Sequence, residues 1–235
     1  MYRQALDALL NARDEKRPLA LATALDGSGQ WLIGPDHAED APDSIIAEAR
    51  KALDMDQSRT IEGPDGPVFI QVHNPPWRMI VIGAVHITQP LAQMATLAGY
   101  ELTVIDPRGA FATAERFPGI DVSDEWPDEA LERLALDART AVVTLTHDPK
   151  LDDAALAVAL KSPAFYIGSL GSKKTHGARL ERLTEKGFDR TALARINGPV
   201  GLALGARSPA EIAVSILAQV IAARRQPAQP AQRAA

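Results

Sequence analysis

The segment Arg78-Met79-Ile80-Val81-Ile82-Gly83-Ala84 constrains this chain more than any other. An unbroken apolar run closed by glycine suits a strand covered on both faces, where a half-exposed strand would alternate. Such a strand needs parallel neighbours and helical crossovers, and the chain downstream supplies them. A helix runs through about Ala98, followed by the strand ELTVID. AVVTLTH is a third strand, followed by a helix from Asp152 to Leu160. AFYIGSL is a fourth, followed by a helix through about Lys186. Between the second and third strands, DVSDE is compatible with a short strand and PDEALERLAL with a helix. A last strong helix starts near Ser208, with Ile212, Ile216 and Val220 on one stripe and Leu217 beside it. This alternation predicts an α/β fold, a Rossmann-type doubly wound parallel sheet, over residues 76–225.

The first 75 residues have a different rhythm. Leu6, Leu9 and Leu10 give residues 2–17 a helical spacing that Pro18 stops. LALATAL and QWLIG read as strands joined by DGSG, and SRTIE and VFIQVH as a second hairpin around GPDGP. Between them, Asp43 or Ser44 can cap a helix through about Met55, with Ile45, Ile46, Ala49 and Leu53 on one face. Residues 1–75 are therefore expected to form a small α+β domain. Asn74-Pro75-Pro76 marks its boundary. QPAQPAQRAA, residues 226–235, has the composition of a disordered tail.

Charge and composition exclude several classes of function. The net charge is −5, so the broad basic face needed for nucleic acid or an acidic membrane is not expected. No apolar run approaches the ~20 residues that span a bilayer, and MYRQALDALLNARDEKR lacks a signal peptide's apolar core. A cytoplasmic location is the expectation. There is no cysteine, which rules out disulfides, thiolate metal ligation and cysteine catalysis by this chain.

The candidate chemistry lies at the predicted strand ends. Gly83-Ala84-Val85-His86-Ile87-Thr88 follows the first strand, but of the GxGxxG dinucleotide fingerprint only the first glycine is present. Asp106, followed by Pro107-Arg108, ends ELTVID 23 residues after Gly83, near the ~20 expected for a ribose-binding acid. Arg108 could instead meet a phosphate. Thr146-His147-Asp148-Pro149 follows the third strand. His147 and Asp148 could bind a polar ring there, or Asp148 could simply cap the next helix.

The richest segment is Tyr166-Ile167-Gly168-Ser169-Leu170-Gly171-Ser172-Lys173-Lys174-Thr175-His176. It runs from a buried strand through a glycine turn into a helix, where backbone N–H groups favour anions and Ser172 can cap. Lys173, Lys174, His176 and Arg179 place positive charge where a helix dipole disfavours it, which an anionic ligand would offset. The segment does not match a P-loop. The apolar loop Asn197–Pro209 carries Arg207 and is expected to fold back over the crevice. Within it, Ser208-Pro209 with Glu211 reads as a helix start. His86, His147 and His176 all sit near strand ends, but their spacing does not argue for a metal, and no catalytic residue is assigned.

VIGAVHITQPLA, TVIDPR, THDPKLDDAAL, YIGSLGSKKTHGARL and GPVGLALGARSPAEIAVSILA, taken in order, resemble the XdhC/CoxI family. These are accessory proteins of molybdenum hydroxylases such as xanthine dehydrogenase. The resemblance covers about residues 78–225 and extends more weakly into the first 75. It implies a chaperone that binds molybdenum cofactor, as molybdopterin or its dinucleotide form. The chaperone would hold the cofactor for sulfuration by a cysteine desulfurase and deliver it to the hydroxylase apo-subunit. The family's cysteine-bearing members are not matched here, so any hold on the cofactor would be non-covalent. The alternatives are an NAD(P)-dependent oxidoreductase, favoured by Gly83 and Asp106, and a nucleotide-binding scaffold without turnover. A homodimer through the last helix's apolar stripe is one use of that stripe, and burial in the core is the other.

Overall fold

The computed structural model describes residues 3–109 and 111–225, so the stretch 226–235 lies outside the described residues. The chain divides into two compact units, Met1–Pro75 and Pro76–Ala235.

The first unit comprises α1 (Arg3–Asp14), β1 (Leu19–Ala24), β2 (Gln30–Ile33), α2 (Asp43–Met55), β3 (Arg59–Gly63) and β4 (Gly66–His73). Its strands form an antiparallel sheet in the order β2-β1-β4-β3. Strand alternation sends Ala20 and Ala22 to one face, where they pack with Ile45, Ala49 and Leu53 of α2. Leu19 and Leu21 face the other way, against Ala5, Leu9 and Ala12 of α1. Leu6 and Leu10, expected on that face, are exposed, because alanines share the buried stripe with Leu9. α1 stops at Asp14, and Lys16 turns the chain with a left-handed φ of 52°, before Pro18 is reached. Neither Asp43 nor Ser44 caps α2: Pro42 holds the cap position, and Asp43 stands in the first turn, where its charge complements the dipole.

The second unit comprises β5 (Trp77–Ile82), α3 (Thr88–Leu97), β6 (Tyr100–Ile105), β7 (Asp121–Ser123), α4 (Pro127–Arg133), β8 (Thr140–Thr144), α5 (Pro149–Lys161), β9 (Tyr166–Ser169), α6 (Lys173–Glu185), α7 (Arg190–Leu193), β10 (Ile196–Asn197) and α8 (Pro209–Arg225). Six parallel strands lie in the order β10-β9-β8-β5-β6-β7. Counted along the unit, this is the 3-2-1-4-5-6 order of the Rossmann fold. β10 is not legible in the sequence, because two residues carry no periodicity. It forms by pairing Ile196 with Ile167 and Asn197 with Gly168.

The sheet is covered on both faces, as the apolar run of β5 requires. Met79, Val81, Ala141 and Val143 face α3 and α8, with Leu91, Ala92, Ala213 and Ile216. Ile80, Ile82 and Val142 face α4, α5 and α6, with Leu131, Leu156 and Leu183. Ile216, Leu217 and Val220 of α8 are buried in this core and Ile212 is partly buried against it, so most of that stripe packs within the domain.

Ile82 is fully buried beneath α4 and α5. Ile82→Ala is expected to lower the free energy of urea unfolding by about 2–5 kcal/mol, since a cavity between a sheet and two helices cannot collapse easily.

Candidate functional site

In open parallel sheets ligands bind beyond the carboxyl ends of the strands, where strand order reverses. Here that point lies between β5 and β8. Gly83, leaving β5, has φ +110°, and a β-carbon on it would lie 2.8 Å from Thr146 Cγ2. Glycine is thus required both by backbone conformation and by the close approach of the chain leaving β8. Thr88, which stands where a fingerprint would have glycine, is fully buried, and its hydroxyl donates to the Gly83 carbonyl. The degraded fingerprint is a locked turn. Ala84 is buried at its start, and His86 projects to solvent.

Asp106 closes β6 beside this turn and is completely buried. Its Oδ2 accepts from the Ala84 amide at 2.8 Å and from Arg108 Nη2 at 2.7 Å. Its Oδ1 accepts from the Arg108 amide at 3.0 Å and from Arg108 Nε at 2.8 Å. Burial alone would raise this carboxyl's pKa, but the Arg108 fork and the two amides together hold it below its ordinary value of 3.8.

A second buried network lies at the end of β8. The Thr146 hydroxyl donates to Asp152 Oδ1 at 2.7 Å and accepts from the Asp148 amide at 3.0 Å. Asp148 caps α5 by accepting from the Lys150 amide at 2.9 Å, so the capping role applies and the helix starts at Pro149, three residues earlier than expected. His147, between them, is exposed and held at a left-handed φ of 63°. Buried Asp152 has its carboxyl pushed up by desolvation, against the pull of Thr146 and Arg179. Its Oδ2 lies 3.7 Å from Arg179 Nη2, both side chains being 2% exposed.

Arg179, grouped by sequence with Lys173, Lys174 and His176 as positive charge at the helix start, is among the largest fully buried side chains of the described residues. Nη2 donates to the Leu170 carbonyl at 2.8 Å, while Nε and Nη1 are buried without an acceptor. It lies beneath the glycine turn: a β-carbon on Gly171 would be 3.8 Å from Nη2. Desolvation pushes its pKa down. His176 is likewise not a surface cation. Its ring packs against Gly198, its Nδ1 is buried without a partner, and burial together with Arg179's charge lowers its pKa.

The structure thus gathers Gly83, Ala84, Asp106, Arg108, Thr146, Asp148, Asp152, Gly171 and Arg179 into one contiguous set. Ser172 caps α6 by accepting from the Thr175 amide at 3.1 Å, and Lys173 and Lys174 are exposed at its start. Two predicted residues have structural employment. Gly168 is a packing glycine, since a β-carbon there would meet Val200 Cγ2 at 2.6 Å and Tyr166 at 2.8 Å. Ser169 is buried in a hydroxyl pair with Thr144. Arg207 is exposed beside the cap of α8, where Glu211 accepts from the Arg207 and Ser208 amides. The loop expected to cover the crevice is pinned by Val200 to Ser169 and then leaves Leu202 and Leu204 exposed.

Asp152 is the site residue that sequence reasoning misses, although a signal exists. It lies three, four and seven residues before Ala155, Leu156 and Ala159, on the buried stripe of α5, while Arg179 stands four before buried Leu183. A charge on a buried stripe needs a partner inside.

These features define a Rossmann-type α/β domain whose polar residues cluster at the switch point of a six-stranded parallel sheet. The family model of the XdhC Rossmann domain matches residues 79–220, and the chain belongs to that family. It is 33% identical over 159 residues to a Bacillus subtilis protein named as a probable subunit of xanthine dehydrogenase, covering 67% of this chain and 46% of that protein. It is 31% identical over 147 residues to the molybdenum cofactor insertion chaperone PaoD of Escherichia coli, covering 63% and 40%. An uncharacterized Escherichia coli protein, YqeB, is 33% identical over 154 residues, covering 66% and 28%. The matches span less than half the length of these relatives. A crystal structure described as a xanthine dehydrogenase from Bacillus halodurans superposes with a TM-score of 0.70 at 24% identity, covering 98% of this chain and 67% of that one, and shares the fold.

Gly168→Ala is expected to cost roughly 1–3 kcal/mol of stability by overpacking, read from urea unfolding. Asp106 contributes stability that is fully present above its unfolded pKa of 3.8 and disappears as pH falls through its lower folded value. The Asp106→Asn protein should therefore show a flatter acid limb in a stability–pH profile than the parent; identical limbs would contradict the buried pairing.

Proposed function

We propose that this chain binds molybdenum cofactor non-covalently by its phosphate-bearing end and assists its insertion into a molybdenum hydroxylase of the xanthine dehydrogenase or CO dehydrogenase type. The observation that carries the reading is Arg179. A fully buried guanidinium with two nitrogens lacking acceptors costs stability unless something accepts from them. It lies under the Gly171 turn at the start of α6, where the helix dipole and exposed Lys173 and Lys174 also favour an anion. Asp152 offsets the charge only loosely, at 3.7 Å, which leaves the fork able to turn to a phosphate oxygen.

The donor set fits the phosphate of a pterin cofactor. Arg179, the α6 amides, Lys173 and Lys174 would hold that group. His147 and the Asp148 region, exposed and partly exposed, would face the pterin edge. Bound, the cofactor would supply the dithiolene and its metal. This chain's part is to bind, orient and release. It has no cysteine, so sulfur transfer falls to a partner of the cysteine desulfurase class. The names of two relatives, one for xanthine dehydrogenase and one for cofactor insertion, support the same assignment. An NAD(P)-dependent oxidoreductase draws on Gly83 and Asp106, but Asp106 is already saturated by Arg108.

Anaerobic purification with the hydroxylase, followed by assay of bound molybdenum and released pterin, tests the reading. Both should be found, and absence of both with no effect on hydroxylase activation would overturn it. In the Lys173→Ala/Lys174→Ala protein, affinity for the phosphate-bearing pterin should fall by roughly three- to thirtyfold, most at low salt, with the unfolding midpoint nearly unchanged. Equal loss of fold and binding would contradict a surface role for these lysines.

A further inference from the structure

The carboxylate at the end of β6 holds a second message. In the 3-2-1-4-5-6 sheet, an acid at this strand end is placed to take the hydroxyls of a nucleotide ribose. Asp106 occupies that place, but a carboxylate has about four lone-pair directions and all four are filled. Two are taken by backbone amides, of Ala84 and Arg108. The other two, one on each oxygen, are taken by Nε and Nη2 of Arg108, spanning the carboxylate as the two hydroxyls of a diol would. The fork is buttressed. Its Cζ lies 5.0 Å above the Phe111 ring, and the charges of Asp148 and Asp152 also favour the cation. The Arg108 side chain is 39% exposed while Asp106 is 0%, so the arginine is a cover over the acid.

We propose that Arg108 is a built-in surrogate for a ribose, which makes the resting crevice select a ligand ending in phosphate over one extended there by a ribonucleotide. The proposal rests on the phosphate-holding reading above and deepens it, since it favours molybdopterin over its dinucleotide form. The physical basis is an exchange of unequal bonds. A diol entering Asp106 replaces two hydrogen bonds between opposite charges by two from neutral donors to the same carboxylate, so the Coulombic attraction of the guanidinium is lost while a charged acceptor remains. Displaced, the guanidinium must also leave its aromatic and anionic neighbours. A phosphate asks for none of this, because the fork can stay on Asp106.

Calorimetry on the full chain tests this with inorganic pyrophosphate, ADP and 2′,3′-dideoxy-ADP, the last two differing only in the diol. The parent protein should bind pyrophosphate and should bind the two nucleotides with affinities equal within about twofold. Arg108→Ala should prefer ADP over the dideoxy form by about tenfold or more, the scale of two hydrogen bonds to a charged acceptor. Adding Asp106→Asn should erase that preference. Arg108→Lys keeps the charge but cannot span both oxygens, and it should show an intermediate preference. It also serves as the second variant if the alanine protein does not fold. A tenfold diol preference in the parent, or none in either Arg108 variant, would overturn the proposal. So would a parent preference for NADP+ over NAD+ that Arg108→Ala abolishes, since Arg108 would then be a phosphate ligand. If the parent fails to bind pyrophosphate while the Arg108 variants gain the diol preference, the phosphate-holding reading falls and the surrogate stands.

Discussion

Burial of β5 and β8 on both faces is the constraint on which the Rossmann unit depends. Met79 and Val81 reach one layer of helices, and Ile80 and Ile82 the other, so neither face can be left to water. Parallel strands satisfy this only with helical crossovers on both sides. Crossovers that wind outward from β5 in both directions leave the carboxyl ends of β5 and β8 side by side, with no connection passing over them. The site exists because the core is two-sided.

What fills that gap is a set of buried charges, each answered differently. Asp106 is answered in full, by two amides and a fork, and its ionised form is favoured. Asp152 and Arg179 answer each other at a distance longer than a hydrogen bond, and burial pushes each away from its charged form. A half-satisfied buried pair is expensive, and removing either partner would leave the other charge unpaired. The contrast divides the crevice into a closed half at β6 and a half at α6 with donors to spare. A ligand whose anion enters at α6 meets the half that gains from its arrival.

Helix ends account for other residues that chemistry alone seemed to claim. Asp148 and Ser172 both accept from amides two or three residues ahead, and Glu211 closes the start of α8. Short polar side chains at strand-to-helix turns serve the backbone first, because the first turn of every helix has donors with no internal partner. That leaves the longer side chains Lys173, Lys174 and Arg179 with donors to spare, whereas the Arg108 fork is committed to Asp106.

The amino-acid sequence by itself determined that the sheet is parallel and covered on both faces, the order in which its main strands and helices alternate, and the strand ends where polar residues collect. Those follow from local periodicity: MIVI reads as two-sided, and the Ser208 helix start is written in the residues around it. It also carried Asp106 at a ribose acid's distance from Gly83. Only the tertiary structure decided which of these residues are free. Arg108 is two positions from Asp106 in the chain, and nothing in that spacing says that its fork lies on the carboxylate and not on a ligand. Arg179 reads as one cation among four, yet it is buried while Lys173 and Lys174 are not, because α6 turns the stripe shared with Leu183 toward α5. Gly168 reads as a ligand glycine and is a packing glycine, because Val200, in the loop that follows a strand too short to be seen in the sequence, packs against it. Local pattern fixes where a side chain begins, but its partners come from other elements, and pairing across elements decides whether a charge is spent or available.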